Sequence, residues 1–275
     1  MALRNRRDRI VLCASKIVGA FARYTPNRGQ ERLLRLVEEV FGVKRWVTRS
    51  EFGFILFVNR NDLVQRHILT YGFWDKEVGD YLKSILTEND VFFDIGANIG
   101  YFSLVAASIG VSSIVAFEPF AYLARLAEEN VSLNGFEKII RIVPVALGAI
   151  QGTANYLAGP DWNSGAGKIV PVPDGGSGSS VPIMTLDAFL SDTDSPWPTV
   201  IKLDVEGFEL DVLQGARKLF ETRPPRAVVF EANCDDAGRV VDEKIVEFFE
   251  SFNYQIKHLH RPVHESKENF VAALK

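Results

Sequence analysis

The chain has 275 residues, which is enough for one large domain with additions or for two small domains. Its hydrophobic share of 47% and charged share of 24% are ordinary for a soluble globular protein. The formal net charge of −4 argues against nucleic acid as the main partner.

Positive charge is concentrated at the N-terminus, where residues 1–49 carry twelve Lys or Arg against four Asp or Glu. This basic arm, residues 1–35, frames apolar positions such as Ile10, Ile17 and Phe21. One interpretation is an amphipathic helix that makes peripheral contact with an anionic membrane surface. The other is a helix that docks on the protein itself or pairs with a second subunit in a homo-oligomer.

The apolar runs and the cysteines bear on location. No apolar run approaches the ~20 residues of a membrane span, and Lys16 interrupts a run that is already short for a signal peptide. Cys13 and Cys234 lie too far apart to indicate a disulfide framework or a zinc motif. The expected location is therefore the reducing cytoplasm, with membrane contact confined to the basic arm.

An N-terminal extension over residues 1–69 is predicted to contain a helical arm, 1–45, and a short β-hairpin, 46–59. A helix is predicted over 77–86. From residue 90, strands alternate with helices, which predicts an α/β fold whose parallel sheet is covered by helices on both faces. The predicted strands are 91–94, 113–118, 139–145, 199–203, 227–230, 255–258 and 270–274. The helices between them include 101–109, one ended by Gly135, one from Leu210 to Phe220, and one from Ile245 to Phe252.

The segment 151–198 is too long for a plain crossover between strands. It contains several Gly and Pro residues and the low-complexity run 175–180. Long loops in compact domains are usually functional or disordered. We expect an acceptor-side cap with a mobile tip, ordered near the site at Asn163, Ser164 and Gly165.

A glycine turn follows the first strand of the alternating region, from Asp94 through Gly96 to Gly100. Such a turn presents backbone N–H groups and the positive end of a helix dipole. The spacing Asp-x-Gly-x-x-x-Gly differs from the dinucleotide fingerprint. Its acid suits a ligand with a cationic, hydrogen-bond-donating part, such as an amino acid moiety. The alternative is a tight strand–helix connection without a ligand.

Glu118 ends the second strand, 24 residues after Asp94. An acid at this position accepts hydrogen bonds from ribose hydroxyls in nucleotide-binding sheets. The competing interpretation is a charge at the start of a helix, before Pro119.

Charged residues also end two later strands. Lys202, Asp204 and Glu206 alternate after the strand 199–203, and Glu231 follows the strand 227–230. Buried strands seldom carry such charges, so we expect Asp204 and Glu206 to face a ligand. The converging carboxylates suit either a divalent metal or a base with clamps for acceptor hydroxyls, and the second is favoured. Capping of the next helix is the structural alternative.

His258, His260 and His264 cluster near the C-terminus, where a turn at the ligand edge is expected. Their spacing alone does not show convergence on a metal. A solvated loop is the simpler interpretation, and one histidine as a proton acceptor is the functional one.

The chain resembles the FkbM family of S-adenosylmethionine-dependent methyltransferases over about residues 70–275. The resemblance rests on five motifs: Phe93 to Gly100, Ala116 to Pro119, Val145 to Gly148, Thr185 to Asp187 and Lys202 to Glu209. It implies a Rossmann-like class I methyltransferase with a seven-stranded sheet, whose last strand is antiparallel and inserted between strands five and six. It also implies O-methylation of sugar hydroxyls or hydroxylated natural products.

The resemblance also implies roles for individual residues. Asp94 and the turn to Gly100 would hold the methionine part of the cofactor, Glu118 the ribose, and Ala146 would lie near the adenine. The predicted cofactor-binding set is Asp94, Gly96, Ala97, Asn98, Gly100, Tyr101, Glu118, Pro119, Ala146 and Asp204. No residue is assigned to a metal.

For the chemistry, the predicted catalytic group is Asp204, which would accept the proton of the acceptor hydroxyl, with Glu206 or His258 in reserve. Lys202 would tune Asp204 or bind an acidic acceptor. The partner is predicted to be a small molecule, glycan or glycolipid. Three alternatives remain, namely a nicotinamide-dependent oxidoreductase, a non-catalytic scaffold with this fold, and a methyltransferase acting on protein or RNA.

Overall fold

The computed structural model describes residues 27–42, 45–170, 179–259 and 267–275. Most of the basic arm lies outside these ranges, so its membrane and subunit interpretations remain predictions. None of the helices in the described ranges combines the length and apolar character needed to cross a bilayer.

The helices are numbered along the described chain. They are α1 Asn27–Phe41, α2 Leu63–Tyr71, α3 Lys76–Ile85, α4 Tyr101–Ile109, α5 Ala121–Asn134, α6 Leu186–Asp192, α7 Glu209–Gln214, α8 Arg217–Thr222 and α9 Glu243–Ser251. The strands of the main sheet are β3 Val91–Ile95, β4 Ser113–Phe117, β5 Ile140–Val143, β10 Val200–Leu203, β11 Ala227–Asn233, β12 Tyr254–His258 and β13 Lys267–Leu274. The others are β1 Trp46–Arg49, β2 Ile55–Val58, β6 Ala146–Leu147, β7 Gly152–Leu157, β8 Lys168–Val170 and β9 Ser179–Met184.

The main sheet has seven strands in the order β12-β13-β11-β10-β3-β4-β5. Its internal pairs from β11 to β5 are parallel, and β13 runs antiparallel to both of its neighbours. The predicted insertion of an antiparallel last strand between strands five and six is therefore confirmed. This strand order places the carboxyl ends of β3, β4, β10 and β11 at one edge.

Helices cover both faces of the sheet, as predicted. Phe92 and Phe93 on β3 are both fully buried but belong to two different hydrophobic clusters, because successive side chains of a strand point to opposite faces. One cluster packs the sheet against α2 to α5. The other packs it against α6 to α9.

The N-terminal hairpin, β1 and β2, belongs to the same packed unit as the sheet. Trp46, Leu56 and Val58 are buried in the hydrophobic cluster that also contains Phe92 and Leu104. The expected boundary between residues 69 and 70 lies within α2. Asp62 caps the start of that helix, and Gly72 in a left-handed conformation ends it. The predicted elements did not include α2, although both capping signals are present in the sequence.

Three predicted elements differ from the structure. The strand 139–145 ends at Val143, because Pro144 has no N–H group to continue a ladder, and β6 then joins a second sheet. The helix from Leu210 to Phe220 is divided into α7 and α8 at Gly215. A side chain at Gly215 would collide with the Gly148 carbonyl, so the break permits close packing there.

The insertion 151–198 contains more regular structure than expected. It forms α6 and, with β6, a four-stranded sheet in the order β6-β9-β7-β8. Ala154, Tyr156, Val181 and Ile183 bury the inner face of this small sheet. Most of the Gly/Ser run lies outside the described residues.

Candidate functional site

A cleft lies at the carboxyl ends of the parallel strands, the edge where open α/β sheets bind ligands. The turns after β3, β4 and β10 form its floor. Leu63, Val64, Trp74 and Asp75 line one side, and Asn163, Ser164 and Gly165 approach from the insertion. Three chain segments that are distant in sequence therefore meet at one site.

The turn after β3 is held in place by backbone contacts. The N–H groups of Gly96 and Ala97 both donate to the Phe117 carbonyl at 3.0 Å. Gly96 has φ +82°, and a Cβ at this position would overlap the carbonyl oxygen of Asp204. The turn is thus pressed against the end of β10, which only glycine permits.

Gly100 has a different role from the one expected. It also has a positive φ, +81°, but a Cβ there would meet the Cβ of Ala127 at 3.3 Å. Gly100 therefore lets α4 start close to α5, and it does not line the cleft. The expectation that it admits a ligand is not supported by this geometry.

Glu118 is preorganised by backbone donors. It is 5% exposed, one carboxylate oxygen accepts the N–H of Asn98 at 2.9 Å, and the other accepts the N–H of Phe120 at 2.9 Å. Burial raises the pKa of Glu118 to about 7 and outweighs the two backbone bonds, which lower it. A buried carboxylate held in this way is suited to accept hydrogen bonds from two neighbouring hydroxyls.

Lys202 connects the glycine turn to the end of β10. Its ammonium is 3.1 Å from the Gly96 carbonyl oxygen, 3.1 Å from an Asp204 oxygen and 3.8 Å from an Asp94 oxygen. Burial disfavours the charged form, but Asp204 and Asp94 outweigh burial and raise the pKa of Lys202. An ammonium has three donors. Since these three oxygens surround the Lys202 ammonium, its predicted role beside Asp204 fits better than binding of an acidic acceptor.

Asp94 lies beneath the turn and does not line the cleft. Its side chain is fully buried, and one oxygen accepts a hydrogen bond from the Ser103 hydroxyl at 2.6 Å. Burial raises the pKa of Asp94 despite the nearby Lys202. Asp94 therefore supports the turn from below rather than contacting a ligand through the cleft wall.

Asp204, Glu206 and Glu231 converge at the rim, as the sequence predicts. One carboxylate oxygen from each lies within 4.8 Å of the others. Glu206 adopts φ +55°, and the turn that carries it is fixed by Glu209, which accepts the N–H groups of Val205 and Gly207. These oxygens can hold a divalent cation or can serve as a base with hydroxyl acceptors beside it.

The remaining predicted residues divide between the cleft and the opposite end of the sheet. Ala97, Asn98, Tyr101, Pro119 and Ala146 all line the cleft. His258 does not.

His258 lies 3.3 Å from Glu268 and packs against Phe270, next to a separate groove between α9 and β12. His260 and His264 lie outside the described residues.

Several cleft residues are not indicated by any sequence motif. Trp74 and Asp75 lie in the link before α3, and Tyr156 on β7 stacks on Phe120 with ring centroids 4.8 Å apart. Only the Asp62 cap marks the nearby helix in the sequence. Long-range packing brings these residues to the cleft, so local patterns do not identify them.

The site meets the requirements of a cofactor with a ribose and an amino acid end. The glycine turn places backbone at the cleft floor, Glu118 offers a fixed carboxylate, and the buried Tyr101 hydroxyl lacks a hydrogen-bond partner within the described part of the chain. The residues present therefore fit the cofactor that the sequence implies.

Comparison with known proteins gives a family and partial relatives. A sequence model described as "Methyltransferase FkbM domain" matches residues 94–256. The hexuronic acid methyltransferase AglP of Haloferax volcanii is 29% identical over 133 residues, which cover 46% of this chain and 50% of that protein. The ribosomal protein L11 methyltransferase of Listeria welshimeri is 36% identical over 61 residues, 22% of this chain and 19% of that protein. The match thus spans half or less of either relative.

Among solved structures, precorrin-6y C5,15-methyltransferase from Geobacter metallireducens aligns with a TM-score of 0.43 and 16% identity. The alignment covers 74% of this chain and 91% of that chain.

The family match extends over more than half of the chain and includes the glycine turn, Glu118 and the end of β10. These are the elements that form the floor of the cleft. The chain belongs to the FkbM methyltransferase family.

Proposed function

We propose that this protein is an S-adenosylmethionine-dependent O-methyltransferase that methylates a hydroxyl group of a sugar, in a glycan, a glycolipid or a hydroxylated natural product. The observation that carries the proposal is the position of Asp204. Its backbone carbonyl touches the Gly96 turn, and its side chain, 29% exposed, faces the cleft while bound to Lys202.

The cofactor roles follow from the cleft lining. The Gly96 turn with Ala97, Asn98 and Tyr101 holds the methionine part, Glu118 accepts the ribose hydroxyls, and Ala146 on β6 lies beside the adenine. When bound, S-adenosylmethionine supplies a methyl group on a positively charged sulfur, so the protein's task is to bind and orient the reactants. Asp94 acts indirectly, through the turn above it.

The acceptor hydroxyl becomes a good nucleophile only if its proton has a destination. Asp204 is the proposed proton acceptor, because it lies where the cofactor turn meets the open cleft. Glu206 and Glu231 are close enough to bind neighbouring hydroxyls or to replace it. His258 is the weakest of the predicted candidates, because it faces a different groove.

Support for a sugar acceptor comes from the relative in Haloferax volcanii, whose name states that it methylates a hexuronic acid. Family membership also favours methyl transfer over the nicotinamide-dependent alternative. A non-catalytic scaffold and a protein or RNA acceptor are decided by the assay below.

The test is incubation of the protein with labelled S-adenosylmethionine and a panel of glycosides, glycolipids and hydroxylated metabolites. Asp204→Asn should reduce turnover by about 10²-fold or more, since general base catalysis contributes that much. Its affinity for S-adenosylhomocysteine, measured by calorimetry, should change little. Asp192→Asn is the matched control, because Asp192 is exposed at the end of α6 and does not line the cleft.

Two results would count against the proposal. Full turnover in Asp204→Asn would remove Asp204 from the role of base. Label transfer to protein or RNA but to no hydroxylated small molecule or glycan would overturn the acceptor class. Addition of EDTA to the same assay separates the metal alternative, because a rate that depends on Asp204 alone should not fall.

A further inference from the structure

The loop over residues 159–167 is anchored to the start of α2. Asp62, only 2% exposed, accepts the N–H of Gln65 at 2.9 Å with one oxygen and the N–H of Ser164 at 2.6 Å with the other. Beside it, the N–H of Leu63 donates to the Trp162 carbonyl at 2.7 Å. A helix cap in the N-terminal segment therefore holds the insertion at the cleft.

Two side-chain atoms of this loop are buried without a hydrogen-bond partner in the described ranges. They are Asn163 Oδ1 and Ser164 Oγ, and both residues line the cleft. The hydroxyl of Tyr101, a residue only 3% exposed, is in the same condition and lines the same cleft. Buried polar atoms in folded proteins are nearly always paired, so three such atoms around one cleft indicate a ligand that pairs with them.

The chemistry of these atoms defines the ligand. An amide oxygen accepts a hydrogen bond, and a serine hydroxyl both donates and accepts. Lys202 is engaged with Gly96, Asp204 and Asp94 at the floor of the cleft. Gly165 lies against the methyl groups of Val64, which gives the loop an apolar neighbour. A neutral ring that carries several hydroxyls on a C–H framework matches these groups.

We propose that Asn163 and Ser164 form the subsite for acceptor hydroxyls next to the reacting one, and that Asp62 is the positioning residue that holds this subsite at the cleft. The inference rests on the proposed function, because it describes how the acceptor of that reaction is bound. It gives the N-terminal segment, outside the family-matched residues 94–256, a role in acceptor recognition.

The anchor is tested with Asp62→Asn. Its two contacts use different oxygens, and an amide can replace only one of them, so the bond to Ser164 N–H is lost. Asp242→Asn is the matched control, because Asp242 caps α9 with a single oxygen that accepts from Lys244 and Ile245, and an amide oxygen retains both contacts.

The subsite is tested with Ser164→Ala and Asn163→Ala. Ser164→Ala removes the hydroxyl but keeps the backbone bond to Asp62, so it remains informative even if Asp62→Asn fails to fold. Ser164→Thr, which keeps a hydroxyl, should recover part of the loss.

The measurements are KM and kcat for whichever of the methyl glycosides of glucose, mannose, galactose and rhamnose the wild type methylates fastest, together with the Kd for S-adenosylhomocysteine. Asp62→Asn and Ser164→Ala should raise the acceptor KM by about tenfold, the cost of roughly one hydrogen bond. The Kd should stay unchanged, and Asp242→Asn should leave both constants at the wild-type value.

Three outcomes would overturn the inference. If KM for the acceptor is unchanged in both alanine variants while turnover persists, the subsite is wrong and the proposed function stands. If the Kd for S-adenosylhomocysteine rises instead of the acceptor KM, these atoms belong to the cofactor. If the wild type binds cofactor but methylates no sugar, the proposed function fails and the inference fails with it.

Discussion

At the scale of single residues, Glu118 has the most consequential environment in the cleft. Burial disfavours its charge, while two backbone N–H groups point at its oxygens. The remaining lone pairs face the cleft, where ribose hydroxyls would donate to them. Such hydrogen bonds favour the ionised form, so cofactor binding should lower the pKa of Glu118 and release a proton near neutral pH.

The first prediction concerns this coupling. Because the pKa of Glu118 is about 7 in the ligand-free protein, S-adenosylhomocysteine should bind more weakly as the pH falls below 7, with a limit of about tenfold per pH unit. Calorimetry at pH 6, 7 and 8 measures this dependence. Glu118→Gln should bind more weakly at pH 8 and should lose the dependence. The same pH slope in both proteins would contradict the assignment.

The raised pKa also has a sign for stability. The folded protein holds the Glu118 proton more tightly than the unfolded chain, whose carboxyl has the ordinary value of 4.5. The contribution of Glu118 to folding stability is therefore fully present below pH 4.5 and is lost as the pH rises through about 7. This loss is offset when a ligand donates hydrogen bonds to the carboxylate.

At the scale of elements, the cleft floor depends on contact between two strand ends. The turn after β3 crosses the end of β10 so closely that Gly96 has no room for a Cβ beside the Asp204 carbonyl. Lys202 then joins the same two segments through its side chain. The cofactor turn and the proposed base are therefore one mechanical unit.

The second prediction separates this contact from ordinary backbone strain. Gly96→Ala and Gly135→Ala both place alanine at positive φ, +82° and +74°, which costs about 1–2 kcal/mol. A Cβ at Gly135 has nothing within 4 Å, whereas at Gly96 it meets the Asp204 backbone. Gly135→Ala should lower Tm and bind cofactor normally, and Gly96→Ala should lose cofactor binding as well. Normal affinity in Gly96→Ala would show that the turn is not in contact with the ligand.

At the scale of the whole molecule, the N-terminal hairpin is joined to the cofactor half by buried hydrogen bonds and a shared core. Asn130 on α5 is fully buried, accepts the N–H of Phe57 on β2 at 2.8 Å and donates to the Ile99 carbonyl at 3.0 Å. Asn134 makes equivalent bonds to both backbone groups of Ile55. The hairpin thus lies against the helix that follows β4.

The third prediction tests whether these parts unfold together. Asn130→Ala removes the side-chain partners of two buried backbone groups and should lower the free energy of unfolding by about 2–4 kcal/mol. Scanning calorimetry should show one transition at a lower temperature, while Glu128→Ala, exposed on the same helix, should remain near wild type. A separate early transition would instead show that the hairpin unfolds independently.

Local sequence patterns determined much of the fold and part of the site. Strand–helix alternation predicted the sheet, and the family resemblance predicted its strand order. Acids at strand ends predicted the positions of Glu118, Asp204, Glu206 and Glu231 at one edge. These predictions succeed because hydrophobic periodicity and the geometry of parallel sheets are local rules that every such strand obeys.

Only the tertiary structure decided what surrounds those acids. The sequence does not show that Asp94 supports the turn from below, that Lys202 joins Gly96 to Asp204, or that His258 faces another groove. Nor does it show that Asp62 reaches Ser164, 102 residues away in the chain. The sequence by itself determined the family and the cofactor edge of the sheet, whereas the acceptor side is formed by contacts between distant segments, which no local pattern encodes.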